Sequence, residues 1–234
     1  MLIDPLIDGT LIKRYKRFLA DIELSDGNKI TAHCPNTGSM TQCKTPGSPV
    51  KISYDPNPKR KYHYTWQYVK VKGLWCCVNT ILANKLAGEA IRNQRLSSLK
   101  NYQSIKAEQK YGENSRIDFL LENDNERCYV EVKNVTLTDD IKTAIFPDAV
   151  TLRGQKHLKE LMNQIKLGHR AVMMYVVQRQ EAEYFDAARE IDPQYAMLLE
   201  EAIEAGVEII CCRVKTDGSS NIYINSEISF RKRS

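Results

Sequence analysis

Residues 116–133 read RIDFLLENDNERCYVEVK, two runs of strand-forming residues separated by a polar segment. Residues 117–121 and 129–133 are rich in Ile, Phe, Leu, Tyr and Val, and residues 122–127 carry the Asn and Asp that favour turns. This pattern predicts an antiparallel hairpin. Symmetry about Asp124 and Asn125 places Asp118 opposite Glu131 and Arg116 opposite Lys133. Because side chains alternate faces along a strand, Asp118, Glu131 and Lys133 share one face and Val130 and Val132 point to the other.

Directly opposed cross-strand residues have Cβ atoms roughly 4.5 to 5.5 Å apart, a separation at which two unscreened carboxylates repel. A hard divalent cation, Mg²⁺ or Mn²⁺, would compensate: Mg²⁺ takes octahedral oxygen ligation from one or two carboxylates, waters and substrate phosphates. Lys133 then stands ready to stabilise negative charge on reacting oxygens. The order Asp, hairpin turn, Glu-x-Lys resembles the PD-(D/E)XK phosphodiesterase core. An ordinary solvated Glu/Lys face is the alternative.

A chain of 234 residues has ample length for a buried core, and two domains are expected, 1–78 and 79–234. The net charge of +5 with 27% charged residues is mildly basic and excludes a disordered-tail composition. The seven cysteines are odd in number and lack C-x-x-C or zinc spacing, which reads as reduced thiols in the cytosol. No apolar run reaches the ~20 residues of a membrane span, and the N-terminus lacks a basic segment followed by an apolar one. A soluble, cytoplasmic protein is expected.

Residues 11–78 consist of short strand-like runs broken by turns. Residues 11–25 read as one strand, with Phe18, Ala20, Ile22 and Leu24 in alternation, turning at Asp26-Gly27 into a return strand at 29–34. Further strands at 50–54, 67–72 and 74–78 make about five, which fits an OB-like barrel. Residues 59–66, KRKYHYTW, interleave cations and aromatics. Lys59, Arg60 and Lys61 suit phosphates while Tyr62, Tyr64 and Trp66 offer ring faces to bases. The alternative is a barrel strand with its aromatics in the core. A second cluster holds Lys13, Arg14 and Arg17 around Tyr15.

Asn79 and Thr80 can cap a helix through Ile91, with Asn84 and Glu89 on its polar side. Nuclease cores of the type named above often take an acidic ligand from the preceding helix, which makes Glu89 the candidate third metal ligand; a solvent-facing glutamate is the alternative. Residues 136–149 read as a loop, 151–167 as a helix, 171–177 as a strand covered on both faces, 193–205 as a helix and 207–214 as a strand. Strand, helix, strand in succession predicts parallel pairs and an α/β domain. The terminal Arg231, Lys232 and Arg233 read as a charged tail.

HCPNTGSM (33–40), KRKYHYTW (59–66), RIDF (116–119), EVKNVTL (131–137) and FPDAVTLRGQKHLKEL (146–161) together resemble the sugar fermentation stimulation protein A family. The resemblance implies an OB-like β-barrel followed by a PD-(D/E)XK nuclease-like α/β domain, DNA binding largely without sequence preference, and stimulation of maltose metabolism genes. It places Asp118, Glu131 and Lys133 on the nuclease motif and Arg153, Lys156 and His157 on the helix that follows. A helix-turn-helix near the C-terminus is excluded, since residues 207–214 are strand-like and no second amphipathic helix remains. Two functions stay open: a metal-dependent DNA nuclease, and a DNA-binding regulator whose nuclease-like core is inert.

Overall fold

The computed structural model describes residues 6–112, 115–139 and 142–231; Lys232 and Arg233 lie outside the described residues. The first domain contains β1 (Leu6–Tyr15), β2 (Leu19–Leu24), β3 (Lys29–His33), β4 (Pro49–Tyr54), β5 (Tyr64–Val71) and β6 (Leu74–Cys77). Their order is β3-β2-β1-β4-β5-β6, and β3 also pairs with β5, closing a five-stranded barrel with β6 attached outside. This is the OB arrangement. Leu11, Ile22, Val50, Ile52, Trp66 and Val69 fill it.

The single strand expected at 11–25 is two strands. Lys16 and Arg17 adopt φ of 48° and 64°, so the chain turns there with no glycine to announce it. The Asp26-Gly27 turn forms as expected, with Gly27 at φ 83° and Ile22 paired to Ile30.

The second domain adds α1 (Ile81–Arg92), β7 (Ser104–Tyr111), β8 (Ser115–Glu122), β9 (Arg127–Val135), β10 (Leu137–Thr138), β11 (Thr143–Phe146), α2 (Leu152–Lys166), β12 (Arg170–Val177), β13 (Tyr184–Ala187), α3 (Pro193–Glu204), β14 (Glu208–Lys215) and β15 (Tyr223–Phe230). They form one nine-stranded sheet in the order β10-β11-β13-β15-β14-β12-β9-β8-β7. The expected parallel pairs are present, β9 with β12 across α2 and β12 with β14 across α3. α1 covers one sheet face, with Leu86 and Ala90 among Val130, Val132 and Met174. α2 and α3 cover the other, with Leu158, Leu161 and Leu199 among Met173 and Tyr175. The loop expected at 136–149 contains β10 and β11, whose two and four residues are too short to show a period.

The caps follow local chemistry. Asn79 Oδ1 accepts from Ile81 N, Thr151 Oγ1 from Gly154 N, and Asp192 Oδ1 from Tyr195 N. All seven cysteines are free and buried. No helix among the described residues is long and apolar enough to cross a membrane.

The two domains are pinned together. Ser39 Oγ donates to Asp148 O at 2.6 Å, Met40 N to Asp148 Oδ2 at 3.1 Å, and Thr80 Oγ1 to Pro35 O at 2.6 Å. Gln42 exchanges bonds with Thr138 and accepts from Arg179 Nη1 at 2.9 Å. Gly38 permits this approach, because a Cβ there would stand 2.5 Å from Asp148 Oδ2.

Candidate functional site

The hairpin pairs as symmetry predicts, Phe119 with Val130, Leu120 with Tyr129, Leu121 with Cys128 and Glu122 with Arg127. The ladder stops one step before Asp118 and Glu131. On the other flank, the β7–β8 pairing steps from Ala107↔Phe119 to Gln109↔Ile117, and the intervening Glu108 has φ 54°. Asp118 therefore sits where both of its ladders are interrupted. Its carboxylate fills the gap: Oδ2 accepts from Val132 N at 2.7 Å and Oδ1 from Asn84 Nδ2 of α1 at 2.6 Å.

Glu131 is only 3% exposed. Its Oε1 accepts from Lys133 Nζ at 2.7 Å and contacts His157 Nδ1, while Oε2 is buried and has no hydrogen-bond partner. Arg153 Nε lies 3.3 Å from His157 Nε2, and His157 Nδ1 lies against both Glu131 Oε1 and, at 3.1 Å, Lys133 Nζ. Burial pushes the Asp118 carboxyl up to about 6, with the Glu131 charge adding to the rise and Val132 N–H, Lys133 and Asn84 opposing it. Burial is also the largest influence on Glu131, but Lys133 and His157 together outweigh it and hold that carboxyl below its ordinary value. The two carboxyls are driven apart in acidity by their surroundings.

Could these residues hold a divalent cation? Glu131 Oε2 is the orphaned buried oxygen that such an ion would satisfy, and each Asp118 oxygen keeps a lone pair beyond its one bond. No group of three or more His, Cys, Asp or Glu side chains among the described residues is arranged to hold a metal. The donor set is thus a carboxylate pair, which suits an ion that keeps waters and takes phosphate oxygens.

Glu89, expected as a third ligand, is not the α1 side chain bonded to Asp118. Asn84 is the α1 side chain that meets Asp118, and Glu89, five residues on, is rotated roughly 140° around the helix from it. An amide therefore stands where a carboxylate was expected.

Asn84, Lys133 and Arg153 border a cleft of about 340 Å³ between the domains, and Asp118 and Glu131 lie one hydrogen bond behind Asn84 and Lys133. The barrel's contribution is the loop at 36–38, within the PNTGSM run. Arg14 and Arg17 shape it: Arg14 Nη2 donates to Asn36 O at 2.8 Å and Gly38 O at 2.9 Å, and Arg17 Nε to Thr37 O at 3.1 Å. Arg14, expected on phosphates, is taken up by the cleft wall, whereas Arg17 is exposed and contributes only its Nε. Asn36 and Asn84 went unassigned in the sequence; the signals were an Asn-x-Gly turn and an asparagine one turn after the Thr80 cap.

Of the other expected nucleic-acid contacts, Trp66 is corrected. It is 0% exposed, with Nε1 donating to Tyr68 O at 2.8 Å, and offers no face to a base. His157, 4% exposed, is occupied by Glu131 and Arg153 and is likewise unavailable to phosphate. Arg60 is held by Asp55 at 2.8 Å and Thr65 at 2.7 Å. Lys59 and Lys61 are exposed, Lys61 lying over the half-buried Tyr62 ring. Lys13 is exposed, 3.5 Å from Asp21, and Lys156 is exposed, 3.5 Å from Glu160. We expect replacement of Lys59 and Lys61 by Ala to lower the salt slope of single-strand binding by roughly 1.4, at roughly 0.7 per phosphate contact. Affinity measured across a salt series checks this; a wild-type slope would move the footprint elsewhere.

Comparison with known proteins agrees with this architecture. Residues 12–78 match the family described as SfsA N-terminal OB domain, and residues 81–220 match Sugar fermentation stimulation protein RE domain. A sugar fermentation stimulation protein homolog from Geotalea uraniireducens is 52% identical over 227 residues, covering 97% of each chain. One from Pelobacter propionicus is 52% identical over 213 residues, covering 91% of this chain and 92% of its own. The solved structure of Pyrococcus furiosus SfsA in complex with Ca²⁺ superposes with a TM-score of 0.91 at 28% identity, covering 99% of this chain and 98% of that one. With both domains matched in order and relatives half identical along nearly the whole length, this chain belongs to the sugar fermentation stimulation protein family.

Proposed function

We propose that this protein binds DNA and hydrolyses phosphodiester bonds with a divalent cation, Mg²⁺ or Mn²⁺, held by Asp118 and Glu131. The observation that carries the reading is the buried Glu131 carboxylate, with Oε1 occupied by Lys133 and His157 and Oε2 left without a partner, close enough to Asp118 to raise its pKa. The Ca²⁺ named with the Pyrococcus furiosus relative supports a divalent site in the same fold.

When bound, such a cation polarises a phosphoryl oxygen and makes water a stronger nucleophile. The chain's own residues do the rest. Lys133, on the cleft wall, stabilises the negative charge that grows on the phosphoryl oxygens as the bond to the leaving oxygen breaks. His157 and Lys133 occupy Glu131 Oε1, which leaves Oε2 as the oxygen without a partner that an ion would satisfy. Arg153 holds the His157 ring from the cleft wall, where its guanidinium is also exposed to receive a phosphate. Exposed lysines such as Lys59 and Lys61 reach phosphates, not base edges, which fits binding without sequence preference.

A second reading, a DNA-binding regulator with an inert core, draws on one observation: α1 supplies the Asn84 amide to Asp118 where a third carboxylate would complete an acidic set. Calorimetric titration with Mn²⁺ separates the two. Asp118→Asn is expected to weaken Mn²⁺ binding by more than about tenfold. Unchanged affinity would end the shared site, and a wild type that binds no ion would leave the regulator reading.

A further inference from the structure

The cleft says what form of DNA reaches Lys133. Its volume of about 340 Å³ lies at the small end of the roughly 300 to 1,000 Å³ typical of sites for single small molecules. Asp148 is bonded to Ser39 and Met40, and Thr80 to Pro35, so the barrel loop that walls the cleft is tied to the second domain. A recess of that volume is of the size that receives one small molecule such as a nucleotide.

The lining is chemically specific. Asn36 Oδ1 accepts from Gly38 N at 2.9 Å, and Asn84 Nδ2 donates to Asp118 Oδ1 at 2.6 Å. A backbone N–H can only donate and a carboxylate accepts, so these partners fix which way each amide points. The opposite ends, Asn36 Nδ2 and Asn84 Oδ1, remain as one donor and one acceptor without partners among the described residues, on side chains that line the cleft. A donor and an acceptor on fixed amides match the edge of a base that has no partner strand. Lys133 and Arg153 on the same walls match its phosphate.

We infer that the cleft receives a single unpaired nucleotide, its base edge against Asn36 and Asn84 and its phosphate against Lys133 and Arg153, so that the strand acted on is single-stranded DNA or a nucleotide turned out of a duplex. The inference rests on the DNA-processing reading above and names its substrate. A paired nucleotide would have to unstack and unpair first, at a cost of a few kcal/mol.

The test is binding, without turnover. Fluorescence anisotropy in EDTA compares a labelled oligothymidylate with a blunt duplex of equal length, for wild type and Thr37→Trp. Thr37 is exposed on the cleft loop and its bond to Arg17 uses the backbone carbonyl, so the indole fills the cleft without breaking the loop. Wild type is expected to hold the single strand at least about tenfold more tightly than the duplex. Thr37→Trp should lose that preference and keep duplex affinity, with Thr37→Ser behaving as wild type. Equal affinities for strand and duplex in wild type, or a strand preference that survives Thr37→Trp, would overturn the inference. If Mn²⁺-dependent cleavage of intact duplex persists alongside either result, only the unpaired-nucleotide inference falls; if neither DNA binds, the proposed function falls with it.

Discussion

Lys133→Ala is expected to leave DNA affinity within about twofold of wild type while lowering Mg²⁺- or Mn²⁺-dependent cleavage by about 10² to 10³. One phosphate-facing lysine adds little to an electrostatic affinity assembled from many. A charge held at the reacting centre acts mainly in the transition state, where the phosphoryl oxygens are most negative. Lys133 is fixed there by Glu131 at 2.7 Å, so its contribution requires no reorganisation. The substitution also removes a partner from a buried carboxylate, which by itself destabilises a fold. Lys133→Met retains the bulk of the stem and separates that packing loss from the loss of charge. Cleavage of single-stranded and duplex DNA is followed beside EDTA controls. A variant that cuts as fast as wild type would remove Lys133 from the reaction.

Trp66→Ala is expected to cost about 3 to 5 kcal/mol of stability, the usual result of emptying a large buried aromatic site. Trp66 has no exposed surface and packs among the barrel core, with its indole N–H bonded to Tyr68 O. DNA affinity of the folded fraction should match wild type. Tyr62→Ala should behave in the opposite way, with little change in stability and a loss of the ~1 to 3 kcal/mol of one base stack. Denaturant midpoints and anisotropy read both quantities. A stable Trp66→Ala protein with weakened binding would return the indole to the DNA surface.

Trp66 shows where a strand pattern misleads. An alternating strand has one wet face, yet 65–69 are buried without interruption, because Trp66 and Val69 enter the barrel core while Tyr68, on the other face, packs into the core that α1 shares with the second sheet. The hairpin was more legible. Its turn chemistry and apolar alternation determine the register of Phe119 to Glu122 and bring Lys133 to Glu131. The break in the ladder at Asp118 was not legible, since it depends on Glu108 taking a left-handed conformation in a neighbouring strand. The same limit applied to α1. The likeness to nuclease cores made Glu89 attractive as a ligand, and only the phase of the helix against the sheet reveals that Asn84 is the residue bonded to Asp118. Arg14 and Arg17 read as free cations because their acceptors are backbone carbonyls of a loop about twenty residues away.

The proposed chemistry requires Asp118 and Glu131 to share one divalent ion. The most direct measurement is anomalous scattering from crystals equilibrated with Mn²⁺. The expected result is one strong peak at about 2.0 to 2.3 Å from Glu131 Oε2 and from an Asp118 oxygen, a distance set by hard-cation coordination, and absent from Asp118→Asn crystals treated identically. A peak elsewhere in the molecule, or none at saturating Mn²⁺, would contradict it.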